Sequence, residues 1–353
     1  MGRRTVEAQI PASQPEGRRL SRPDASGEAA TGSCRDVSWR WRNQDIRLTR
    51  CDGPAGSLHC VLLIHGFGAS RRHWRHTFEA LAQEAEVIAL DLLGFGLSAK
   101  PPSHLADEPP SAGSVQYGID LWAHQVRDAA RCLASPGRRL HLIGNSIGAV
   151  VALRAAELLS ADGHPPAQVI LIDCAQRTLD DKRLNAKPPW ARATRPLLKA
   201  AVRQRWLIGP LFRLVAQPAQ IRAVLRQAYP SGAGVDPALI RLLHEPSQEP
   251  GAIESFRGFI NLFDDHLAPD LLARLTVPVR MLWGEADPWE DVNEARRWAE
   301  TYRCIQDLVV LPGVGHCPHD EAPEQVNPIL RRWLKSSLKN PATSAKMGQP
   351  SIP

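Results

Sequence analysis

Five residues, Gly144-Asn145-Ser146-Ile147-Gly148, constrain this chain more than any others. The apolar run 140–143 leads into them, and the alanine- and valine-rich run 149–156 leads away. A strand, a sharp turn and a helix form the setting in which G-x-S-x-G holds a serine at the tip of a nucleophile elbow. The serine backbone is strained there, so small residues two positions to either side make steric sense. The pentapeptide alone is a weak signal, and the rest of the chain has to supply the partners.

Those partners occur in a telling order. Upstream, Val61-Leu62-Leu63-Ile64 runs into His65-Gly66-Phe67-Gly68, a strand entering a glycine-rich loop. In that position the Phe67 N–H, together with the Ile147 N–H, would form an oxyanion hole. Downstream, a buried strand ends at Trp283-Gly284-Glu285-Ala286-Asp287, and a further strand ends at Gly313-Val314-Gly315-His316. A serine needs a base to take its proton, and the base needs an acid to fix its tautomer. The order Ser146, Asp287, His316 provides both. Asp173, after the strand at 169–172, competes for the acid role, and Asp287 is preferred because it lies one strand before the histidine. His319 competes for the base role, and His316 is preferred for its Gly-Val-Gly approach. His65 and His266 read as structural or substrate-adjacent.

Strand patterns fall at 37–42, 45–50, 61–65, 86–91, 140–144, 169–173, 278–283 and 307–311, mostly separated by helical stretches. This spacing predicts a leading hairpin and a mostly parallel eight-stranded sheet with the elbow after the fifth strand, which is the α/β-hydrolase core. The connection from 173 to 277 is too long for a simple crossover. Residues 176–275 therefore read as a helical cap inserted between strands 6 and 7, with the core in 37–175 and 276–335. In the cap, Leu197, Leu198, Ala201, Val202 and Trp206 read as one helical face, with Arg195, Lys199 and Arg203 recurring every fourth residue. In a second segment, Ile221, Val224, Leu225 and Ala228 read as buried.

Charge collects in the same place. The cap has fifteen basic against nine acidic residues, an excess that equals the chain's formal net charge of +6. A basic helical face of this kind suits peripheral contact with an anionic membrane surface. The basic residues sit in no recognisable nucleic-acid motif, so no such partner is expected. Seven cysteines without C-x-x-C spacing read as reduced thiols rather than a disulfide framework or a metal site, and no cofactor motif occurs. Residues 1–36 read as a disordered leader and 336–353 as a flexible tail. No signal peptide or transmembrane pattern is apparent, which implies a cytoplasmic or stromal protein.

The stretches Trp283–Glu290, Gly315-His316-Cys317-Pro318-His319-Asp320-Glu321 and Val326-Asn327-Pro328 resemble the pheophytinase and chlorophyll dephytylase group of the α/β-hydrolase superfamily. The Gly-Asn-Ser elbow and the cap stretch 221–229 share that resemblance, although Ala149 stands where such elbows often have glycine. The resemblance implies cofactor-independent hydrolysis of the phytyl ester of a chlorophyll-type pigment by Ser146, near a thylakoid surface. A general esterase or lipase and a carbon–carbon bond hydrolase would share the same triad. Haloalkane dehalogenases and epoxide hydrolases use an aspartate where Ser146 stands. A binding protein on a hydrolase scaffold is the non-enzyme alternative.

Overall fold

The computed structural model describes residues 34–337. Strands β1 (Cys34–Trp41), β2 (Gln44–Cys51), β3 (His59–Ile64), β4 (Glu86–Leu90), β5 (Arg139–Asn145), β6 (Gln168–Ile172), β7 (Val279–Gly284) and β8 (Ile305–Leu311) form one sheet in the order β1-β2-β4-β3-β5-β6-β7-β8. β1 and β2 run antiparallel, as do β2 and β4, and the remaining pairs are parallel. This is the eight-stranded α/β-hydrolase sheet.

The central strands are continuous apolar runs because both faces are covered. On β3, Cys60, Leu62 and Ile64 enter one core while Val61 and Leu63 enter the other, and β4 and β6 alternate in the same way. Helices α1 (Phe78–Ala82), α2 (Ile119–Leu133) and α3 (Ile147–Ala161) follow β3, β4 and β5. α2 and α3 cover the first face, with Trp122, Val126, Val150 and Leu153 buried in that core. Between β6 and β7 lie α4 (Pro189–Arg203), α5 (Arg205–Val215), α6 (Pro218–Ala228), α7 (Pro237–His244), α8 (Ala252–Ile260) and α9 (Ala268–Leu272). α10 (Val292–Thr301), α11 (Pro318–Glu321) and α12 (Pro323–Ser336) complete the chain, and α12 closes the second face through Val326, Leu330 and Trp333.

The strand order reverses at β3 and β5. From β3 the chain moves outward to β4, then returns to lay β5 on the other side. Such a switch point opens a crevice beyond the carboxyl ends of the strands. It sets the loop after β3 beside the turn after β5.

Several expectations need correction. Residues 34–36 of the expected leader are strand, and the rest of that leader lies outside the described residues. Ser336 ends α12 and most of the expected tail also lies outside them. Cys34 and Cys51 form a disulfide, because the antiparallel register of β1 and β2 sets them directly opposite each other. Cysteine spacing in sequence could not show that pairing without the hairpin register. The helix containing Leu197 ends at Arg203, where Gln204 turns extended, so Trp206 belongs to α5 and not to the same face. Val224, read as buried, is 49% exposed.

The two faces of α4 also point opposite to the membrane expectation. Arg195 and Lys199 turn inward to Asp181, and Arg203 pairs with Asp107. Leu197 and Leu198 face outward.

Candidate active site

Ser146 is the N-cap of α3, with φ 57° and ψ −125°. A non-glycine residue held in this region is strained, and the surroundings have to fix it. Here they do. The Ser146 N–H donates to the Ile172 carbonyl at 3.0 Å, and the Ser146 carbonyl accepts from Ala149 and Ala175. The two glycines have separate steric reasons. A Cβ on Gly144 would run into the Gly148 carbonyl, and one on Gly148 would run into the carbonyls of Ile64 and His65. The elbow can form only if β5, α3 and the loop after β3 approach this closely.

Phe67 and Ile147 lie on the two sides of that approach. Neither N–H has a hydrogen-bond acceptor among the described residues. The loop is held by His65. Its Nε2 accepts from the Leu92 N–H at 3.1 Å, so Nδ1 carries the proton and donates to the Gly66 carbonyl at 2.7 Å. Burial lowers the His65 pKa, which keeps this tautomer neutral.

Asp287 and His316 meet. The His316 Nδ1–H donates to Asp287 Oδ2 at 2.7 Å. Asp287 Oδ1 accepts from the Trp289 and Glu290 N–H groups, which fixes the carboxylate in its turn. The histidine loop is bound to the elbow by Asn145, whose Nδ2 donates to the His316 carbonyl at 3.1 Å. Asn145 adjoins Ser146, so this bond sets the serine and histidine backbones side by side. The Trp289 ring stands edge-on to the His316 imidazole, with centroids 4.8 Å apart.

The rival residues sit otherwise. Asp173 is fully buried behind the pair, where its Oδ1 accepts from the Gly284 N–H. Burial, and then the Asp287 charge, raise its pKa well above the ordinary carboxylate range. Asp173 thus sits behind Asp287 in surroundings that favour its protonated form. His319 lies buried between His73 and Trp74 with no hydrogen-bond partner on either ring nitrogen, and burial keeps it neutral. His266 pairs with Asp120 on the outer surface of α2.

Sequence reasoning missed three parts of the site. Asn145 enters the sequence pattern as part of the Gly-Asn-Ser elbow, without a role of its own. Phe67 stacks on Phe259 of α8 with centroids 3.8 Å apart, and Phe256 lies 6.1 Å from Phe67, so the cap closes an aromatic wall over the loop after β3. Finally, the motif residues after His316 act as supports. Glu321 accepts from the Gly315 N–H with Oε2 and from the Ser231 N–H with Oε1. Asp320 accepts from Arg75 at 2.7 Å and from the Tyr229 hydroxyl at 3.1 Å. The signal for the last two was the unusual acidic pair at 320–321, whose burial could not be read from sequence.

Among the described residues no group of His, Cys, Asp or Glu is placed to hold a metal ion. None of their helices is long and apolar enough to cross a membrane.

A family profile described as "Alpha/beta hydrolase family" matches residues 61–329. The chain is 26% identical over 322 residues to "Pheophytinase, chloroplastic" of Arabidopsis thaliana, covering 80% of this chain and 62% of that protein. Among solved structures, it superposes on an esterase from Thermogutta terrifontis with a TM-score of 0.61 at 24% identity, covering 86% of this chain and 99% of the other. It also superposes on the epoxide hydrolase CorEH with a TM-score of 0.67 at 19% identity, again covering 86% and 99%. Both structural likenesses are of fold.

Proposed function

The chain belongs to the alpha/beta hydrolase family, and within it we propose a serine hydrolase of carboxylic esters whose substrate is the phytyl ester of a chlorophyll-type pigment. The observation that carries the chemistry is the 2.7 Å His316–Asp287 hydrogen bond, on a loop that Asn145 ties to the elbow. With Nδ1 donating to Asp287, Nε2 is left unprotonated as the base. It takes the Ser146 proton as Oγ attacks the ester carbonyl. The developing oxyanion is met by the Phe67 and Ile147 N–H groups, each worth about 3 kcal/mol of barrier in comparable sites. His316 then returns its proton to the leaving alcohol. Water, activated by the same imidazole, releases the acid. Asp287 stabilises the imidazolium throughout.

Ser146 supports this reading over epoxide opening, which requires an aspartate at the elbow. The pigment assignment is supported by the resemblance of the Trp283–Glu290 and Gly315–Glu321 stretches and by the pheophytinase relative. The aromatic wall of Phe67, Phe256 and Phe259 suits a long apolar alcohol or a flat ring.

The test is to incubate the protein and Ser146→Ala with chlorophyll a and pheophytin a in detergent, following phytol and acid pigment by chromatography. Release by the wild type alone is expected. Cleavage of short aryl esters without release from either pigment would reassign the substrate to a general esterase. Loss of neither activity in Ser146→Ala would overturn the serine mechanism.

A further inference from the structure

The outer face of α4, α5 and α6 is apolar and uncovered. Trp190, Leu197 and Trp206 are 71%, 74% and 75% exposed. Leu211, Leu214 and Val224 continue the surface across α5 and α6. Scattered exposed leucines are ordinary, but a contiguous apolar face on neighbouring helices is not. The usual sense is reversed on α4, which turns Arg195 and Lys199 inward to Asp181, while α5 buries Ile208 and still leaves Trp206, Leu211 and Leu214 outside.

The charge carried by α4–α6 themselves has one sign. From Lys182 to Val235 the sequence contains no aspartate or glutamate. Arg192, Arg213, Arg222 and Arg226 are exposed, and none has an acidic partner among the described residues. The other cations of α4–α6, Arg195, Lys199, Arg203 and Arg205, are already neutralised by Asp181, Asp107 and Glu254. Apolar side chains edged by unneutralised arginines complement a surface with an apolar interior and anionic headgroups.

We propose that the outer face of α4–α6 docks on an anionic lipid surface. Trp190, Leu197, Trp206 and Leu214 enter the headgroup boundary and Arg192, Arg213, Arg222 and Arg226 meet the phosphates. The face also adjoins the site. On α5, Phe212 lies 5.0 Å from Phe256, which lies 6.1 Å from Phe67. This row of rings connects the docked helix with the loop after β3. The docking goes beyond the ester reading and does not depend on it.

Adhesion is therefore measured on the full chain carrying Ser146→Ala. Its sedimentation is compared with vesicles of equal parts phosphatidylglycerol and phosphatidylcholine, and with phosphatidylcholine alone, at low salt. The protein is expected to favour the anionic vesicles. Adding Leu197→Ser, Trp206→Ser and Leu214→Ser should lower partitioning about tenfold or more. Adding Arg192→Gln, Arg213→Gln, Arg222→Gln and Arg226→Gln should remove the preference for anionic vesicles. Lys199→Gln, facing inward, should leave adhesion as it is. Circular dichroism, and aryl acetate hydrolysis by the same surface variants with Ser146 restored, verify folding. Failure to bind either vesicle overturns the proposal. So does binding that survives the serine substitutions, or a dimer that those substitutions dissociate in a protein that ignores vesicles.

Discussion

Asp173 and Asp287 are neighbouring carboxyls, and their surroundings separate them. Asp287 accepts the His316 Nδ1–H bond, while burial and then the Asp287 charge raise the Asp173 pKa well above the ordinary carboxylate range. Asp287→Asn would offer His316 the wrong hydrogen-bonding group, and kcat for an aryl ester should fall by about 10⁴. Asp173→Asn changes a carboxyl that bonds the Gly284 N–H and not His316, so its kcat should fall far less; equal losses would reverse the assignment. A third carboxyl reports on pH. Burial, with the Asp287 charge adding, pushes Glu290 up to about 8, although the Gln176 N–H donates to it. An acid raised in the folded state stabilises the fold below its ordinary pKa and loses that contribution as pH climbs through the folded value. The stability that Glu290 contributes should thus drain away from about pH 4.5 to about pH 8. Glu290→Gln keeps an acceptor for Gln176 and does not titrate. In thermal melts, its Tm relative to wild type should rise across that window; a constant gap would show that Glu290 ionises normally. The Ser146 turn and the Asp287–His316 pair stand out in the sequence because elbow, strand and loop patterns mark them in chain order. Asn145 and Glu290 do not, since each acts through a partner more than a hundred residues away.

At the scale of elements, the loop carrying His316 is held from the cap side. Its N–H donates to the Ala228 carbonyl at the end of α6. Arg75 bridges Asp320 of α11 to Asp236 and the Gly234 carbonyl, and Tyr229 joins Asp320 to His73. Asp320 is fully buried, so removing its cation strands a charge. Arg75→Met should cost about 3–5 kcal/mol in urea unfolding. The double variant with Asp320→Asn should recover part of that loss, because the stranded charge has gone. Additive losses would mean that the two side chains do not act as a pair. Strands were readable because β3, β4 and β6 are uninterrupted apolar runs, with turn residues beside them. The cap helices were readable as helices but not as oriented helices. Periodicity places Leu197 and Lys199 on different faces of α4, yet only Asp181 and Asp107, which lie outside that helix, decide which face is inside.

For the molecule as a whole, the loop after β3 and the cap contribute rings to one aromatic wall from segments far apart in sequence. Phe67 follows β3, while Phe256 and Phe259 lie on α8, and stacking at 3.8 Å makes Phe259 a direct contact of the cap with the loop after β3. If the wall receives the apolar part of an ester, its contribution should grow with the length of that part, at about 0.8 kcal/mol for each buried methylene. Phe259→Ala should therefore lose more kcat/KM on a dodecanoate ester than on an acetate of the same phenol. The loss should appear in KM as far as the wall binds ground and transition states alike. Equal losses on both esters would place Phe259 in support of the Phe67 N–H instead, since a displaced oxyanion donor slows every ester to the same degree. The ratio of the two losses thus separates a binding wall from a structural prop, and it does so with water-soluble and lipophilic substrates acting on one protein.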